Sequence, residues 1–234
     1  LYSSAASDVY KRQEKPAARV LNTAEVQLTI QPATGRSNVD LISLRDTPPW
    51  EWPANARETL MRVLRDRRSA ASDRVLAADL AGDVTVMNDE VADLLLSIVQ
   101  SADEPGRLRA RAAISLGPAL EEADTQGYDD DFVEPSISSA MFKRIQATLR
   151  RIHDDEDAPK EVRRRVLEAS VRSPQDWHKD AIRAAYSSDD EDWKLTAVFC
   201  MGWIRGFDAQ ILEMLKSRNP DIHCEAVRAA GNWE

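Results

Sequence analysis

Ten residues from Leu108 to Gly117, Leu-Arg-Ala-Arg-Ala-Ala-Ile-Ser-Leu-Gly, recur in outline along the chain and narrow the folds open to it. Arg74 with Ala77, Ala78 and Gly82, Lys194 with Ala197, Val198 and Gly202, and His223 with Ala226, Val227 and Gly231 stand in the same register. Arg163 with Val166 and Leu167 joins them, with Val171 where the others have glycine. The aligned basic or imidazole positions are separated by 35, 54, 31 and 29 residues. A unit of about 30 residues that recurs, once with an insertion, marks a stack of supersecondary units, each burying its apolar face against its neighbours.

The 234 residues, 43% of them hydrophobic, suffice for a folded core, but length alone leaves one or two domains open, and the repeat favours one array. A net charge of −9 opposes polyanionic partners, so nucleic acid would need a local basic patch. Cys200 and Cys224 have no C-x-x-C spacing and are too few for a disulfide framework, which points to reduced thiols in a cytoplasmic protein. No apolar run approaches the roughly 18 residues that span a bilayer. Residues 1–13 resemble translated adapter sequence and are set aside, so the native N-terminus is expected to be missing.

Residues 14–52 differ in pattern from the rest of the chain. Val26–Gln31 alternates, Val39–Leu44 is rich in strand formers, and turn residues lie between them, which predicts an extended segment or hairpin. Pro48–Pro53, with Trp50 and Trp52, then opens a helical array over 53–234. The first pair is predicted near 53–65, striped by Ala56, Leu60, Val63 and Leu64, and near 71–81. Four more pairs come after it, with second helices at 107–117, 162–171, 193–202 and 222–231. Each motif glycine is expected to end its helix in the left-handed conformation. The acidic stretch 124–135 reads as an inserted loop and the preferred site of nicking. The last helix turns Ile222, Ala226, Val227 and Ala230 to an uncapped end, which predicts a truncated C-terminus and self-association there.

The turn aspartate followed by an aliphatic residue or tryptophan, a cation, two small or branched residues and a glycine resembles the HEAT repeat. Its short period is similar to the bacterial HEAT-like repeats named after phycobilisome lyases. The resemblance implies an all-α, right-handed α-solenoid of about five helix pairs, with the irregular N-terminal segment outside it. It also implies that the cation row, Arg74, Arg109, Arg163, Lys194 and His223, pairs with turn aspartates. Tetratricopeptide and ankyrin signatures are not matched.

The same row, reinforced by Arg107, Arg111, Arg164 and Arg165, could otherwise form a basic track. Asp154–Asp157 and Asp189–Asp192 precede second helices and are expected to cap them; a calcium reading fails because no D-x-[DN]-x-[DN]-G string occurs. His153, His178 and His223 lie in different repeats, and no phosphate loop, H-E-x-x-H or G-x-S-x-G is present, so the reading includes no catalytic residue, metal or cofactor. Trp177, Trp193 and Trp203 are expected between repeats, where an exposed one would anchor a partner. The function read is non-catalytic binding of another protein on the face of the second helices, with Arg74, Arg109, Arg163, Lys194, His223, Trp177 and Trp193 as candidates. The resemblance also implies an alternative, an enzyme or enzyme accessory of chromophore-lyase or DNA-glycosylase type.

Overall fold

A computed structural model describes residues 40–128 and 134–232; residues 1–39, with the adapter-like stretch and the expected strand 26–31, lie outside the described residues. The described residues are helical and contain no strand. The extended segment expected over Val39–Leu44 is corrected: Leu41–Asp46 is helix α1. Asp40, in extended backbone, accepts the Ile42 N–H and caps it, while Leu41 and Leu44 bury one helical face. The Trp52 indole donates to the carbonyls of Leu44 and Thr47 at 2.8 and 2.9 Å, closing the other end. Capping and a three-residue apolar spacing outweigh the strand propensity of these residues.

Five helix pairs come next: α2 (Ala56–Arg65) with α3 (Ala71–Leu80), α4 (Asp89–Gln100) with α5 (Gly106–Ser115), α7 (Ser139–Asp154) with α8 (Lys160–Ser170), α9 (Trp177–Tyr186) with α10 (Glu191–Met201), and α11 (Asp208–Met214) with α12 (Pro220–Gly231). The second members touch in succession, α3 on α5, α5 on α8, α8 on α10 and α10 on α12. The extra length between the second and third pairs includes a ten-residue helix, α6 (Gly117–Gln126), which packs on α8. The stretch expected as a loop from Asp124 is thus helical through Gln126, with φ of 69° at Gly127 after it, and its residues 129–133 lie outside the described residues. Pro118 suits the first turn of a helix, and Ala119, Leu120 and Ala123 give α6 a buried face. Arg172 reaches Glu121 at 2.9 Å and Ser173 donates to Asp124, so part of the acidic stretch is tied into the array.

The motif glycines do not serve as left-handed helix ends; among the described glycines only Gly127 and Gly206 have positive φ. Their role is close approach. A Cβ on Gly82 would stand 2.9 Å from the Ser115 Cβ and 3.0 Å from its Cα. One on Gly117 would meet Arg172 and the Ala169 Cα, and one on Gly202 would meet Asn232 and the Ala229 Cα. Ser115, Ala169 and Ala229 each stand six places after the row residue of the next second helix, so glycine faces a small residue at these three junctions. Gly231 has nothing within 4 Å.

The doubled small or branched positions divide the same labour. Ala77, Ala112, Val166, Ala197 and Ala226, and the partners Ala78, Ala113, Leu167 and Val198, have no exposed surface. Val227, the last of the partners, is 51% exposed, with no described helix stacked beyond α12. The junction of α8 and α10 is the exception in the row: Val171 places a branched side chain where the others have none. The buried apolar residues divide into separate clusters there. A polar network lies across that junction. Thr196 accepts from Arg164 at 3.0 Å and donates to Glu168 at 2.6 Å, while Arg165 and Arg164 reach Glu168 and Glu161. Each buried charge thereby has a partner, the condition under which burial is tolerable.

Candidate binding surface on the second helices

The cation row is placed by helix ends. Arg74 donates from Nε and Nη2 to the Leu64 carbonyl, Arg109 from Nε to Val99 at 3.0 Å, and Arg163 from Nε to His153 at 2.9 Å. The His223 imidazole lies 2.8 Å from the Leu215 carbonyl. Each carbonyl belongs to the last turn or C-cap of the preceding first helix, whose final C=O groups have no partner within their own helix. A cation there also meets the negative end of the helix dipole. The pairing with turn aspartates implied by the resemblance is thus corrected: four of the five row residues, Arg74, Arg109, Arg163 and His223, close helix C-termini. Arg74 alone adds a turn acid, Glu104 of the next pair, held at 2.6 and 2.9 Å. That bidentate bond keeps the Glu104 carboxyl below its ordinary pKa. Lys194 makes no side-chain hydrogen bond or ion pair among the described residues.

Arg74 and Arg109 are only 6% and 8% exposed, so they do not offer a basic track. Arg163, Trp177 and Trp193 are brought together. The Arg163 guanidinium lies 5.8 Å from the Trp193 ring centre, and His153 contacts both indoles, at 5.1 Å for Trp177. Trp177 stacks on His178 at 3.9 Å. The His178 Nδ1 accepts the Gln175 N–H at 2.8 Å, which leaves the proton on Nε2 to reach Ser170. Burial lowers the His178 pKa to about 4. It is a neutral core histidine that fastens the start of α9 to the end of α8. Beside this cluster a cavity of about 210 Å³ opens between Arg163, Trp193 and Ala181, Ala184 and Ala185.

Of the two acidic turns expected to cap second helices, only one does: Asp190 is the N-cap of α10 and accepts the Asp192 N–H, whereas Pro159 stands at the N-cap of α8 and Asp155 accepts the Asp157 N–H within the turn before it. Lys160 bridges Asp190 and Asp192 at 2.7 and 3.0 Å, its own pKa raised and that of Asp190 lowered by the hydrogen bond. No three His, Cys, Asp or Glu side chains converge as a metal-binding group among the described residues.

Two neighbouring cavities lie against α3, α5 and α8. One cavity of about 380 Å³ is bounded by Arg67, Ala71, Arg74, Val75, Glu104, Arg107 and Leu108. A second, of about 430 Å³, is bounded by Val75, Arg107, Ala110, Arg111, Ile114 and Arg165. Val75 and Arg107 belong to both, so the two form one groove across three successive second helices. Arg107 is exposed and has no hydrogen bond or ion pair among the described residues. In the sequence Arg107, Arg111 and Arg165 figure only as support for the cation row, and Val75 and Ile114 do not stand out at all. A signal is present nonetheless, since Arg111 and Arg165 both stand two places after a row cation.

This geometry defines a class: the described residues are all-helical and form paired helices whose second members pack on one another. Compared with known proteins, the chain matches no family profile and no curated protein. No helix among the described residues is long and apolar enough to cross a membrane.

Proposed function

We propose that the array is a right-handed α-solenoid of HEAT-like units whose function is non-catalytic binding of another protein on the face of α3, α5 and α8. The observation that carries this reading is the groove shared through Val75 and Arg107. Its walls combine apolar side chains with arginines that no capping role consumes, the mixture from which interface anchors are drawn. The continuous basic groove that a DNA-glycosylase-like reading needs draws nothing from Arg74 and Arg109, which are buried on helix carbonyls. A photo-crosslinking residue at position 114 should give one adduct of defined mass in the native cellular extract, while the same residue at the exposed position 62 of α2 should give none. Equal labelling at both positions would remove the case for this face.

A further inference from the structure

Resting on that reading of the groove, we infer that its occupant is a short acidic peptide segment carrying an aliphatic side chain, the carboxylates lying on Arg67 and Arg107 and the aliphatic group on Val75 and Ile114. Most of the charges around the groove are already spent. Arg74 is bound twice by Glu104 and is buried with it. Arg165 is held by Glu161 and Glu168. Arg111 pairs with Asp79, an exposed pair of little worth. Arg107 has no such partner, and Arg67 shares the single Glu104 carboxylate with Arg74 as an ion pair at 3.5 Å, so two cations there face one acid.

The unspent positive charge is therefore concentrated at the α3–α5 end of the groove, where Asp103 is the opposing carboxylate not engaged by Arg74. A guanidinium fork binds a carboxylate through two parallel hydrogen bonds, which gives geometric selectivity as well as attraction. Next to this end, half-buried Val75 and Ile114 with Ala110 offer apolar surface to an aliphatic side chain. The length of the occupant is limited by the rest of the molecule. The chain carries a net −9, and Asp103 and Glu161 stand at the two ends of the groove, so a long polyanion meets repulsion beyond the arginines. A segment of a few acidic residues does not.

The test is fluorescence anisotropy with the full chain and a labelled Gly-Glu-Glu-Leu-Gly-Glu-Glu-Leu-Gly peptide. Saturable binding is expected, weakened about tenfold by Arg107→Glu and by raising the salt, and unchanged by Arg62→Glu, which alters net charge equally elsewhere. Circular dichroism of each variant verifies that the fold is kept. The Gln-for-Glu peptide and the Ser-for-Leu peptide should each bind more weakly. Equal binding of the Gln peptide, or insensitivity to Arg107→Glu, overturns the acidic assignment, as does tighter, Arg107-dependent binding of single-stranded oligothymidylate. The photo-crosslink at position 114 is read separately. Its persistence with no peptide binding refutes the acidic occupant alone, whereas its loss refutes the groove itself.

Discussion

Replacing motif glycines one at a time by alanine separates two reasons for their presence. If they serve close approach, the cost depends on what the new Cβ meets. At Gly82 it meets the Cβ, Cα and carbonyl oxygen of Ser115 at 2.9 to 3.0 Å, and two of these are backbone atoms that cannot turn aside. Helix α5 must shift against α3, an overpacking that costs ~1–3 kcal/mol. The gain from restricting the unfolded chain recovers ~0.4–1 kcal/mol, leaving a net loss of about 1–2 kcal/mol for Gly82→Ala. At Gly117 the obstacle is the Arg172 side chain, with Cδ at 2.7 Å and Nε at 2.9 Å, which can swing away by giving up Glu121 and the face of Trp203. A smaller loss is expected there. At Gly231 nothing lies within 4 Å, so alanine is expected to be neutral or to stabilise by a few tenths of a kcal/mol. Urea denaturation followed by far-UV circular dichroism ranks the three. Equal destabilisation at Gly82 and Gly231 would refute the close-approach reasoning and restore a conformational role for the glycine itself.

His178 should make stability pH-dependent: its folded pKa of about 4 lies below the ordinary 6.5, so the contribution is complete above pH 6.5 and is lost as pH falls toward 4. By linkage the loss is ~2 kcal/mol at pH 5, and a His178→Gln variant whose urea midpoint falls as steeply with pH would contradict it. Arg109→Met leaves the Val99 carbonyl without its buried donor and is expected to cost ~1–3 kcal/mol, against little change for Lys194→Met, as thermal melts would show. Val227 and Leu212, 51% and 61% exposed, should drive concentration-dependent association in sedimentation velocity, and Val227→Lys should suppress it without loss of stability. Mild proteolysis is expected to cut first between Gly127 and Pro135 rather than within α6; first cuts inside 117–126 would count against that helix.

The register of the repeat is legible in the sequence because it is a steric pattern. Paired small residues such as Ala112 and Ala113 mark where helices meet, and the structure buries them fully. What those residues do for one another is less legible. Gly82 and Gly202 read as helix ends because sequence shows only that they come after a helix, whereas their purpose lies in Ser115 and Ala229, 33 and 27 residues away. The row cations read as partners of acids, since carboxylates are visible in a sequence and the carbonyl of Leu64 or Val99 is not. Helix α6 is hidden by Gly117, which reads as a helix end, although Pro118 beside it is at home in the first turn of another helix. Val75 and Ile114 cannot be told from core residues by sequence, because only the packing of α3 on α5 leaves them half-exposed beside Arg107.

Amide hydrogen exchange of the full chain with and without the saturating acidic peptide tests the binding face most directly. Slower exchange should be confined to the groove: the α2–α3 turn, the exposed side of α3, the first turns of α5, and the start of α8. Helices α9 to α12 should exchange as in the free protein. Protection centred instead on α11 and α12, or on the cavity beside Arg163 and Trp193, would contradict the assignment of the binding face to α3, α5 and α8.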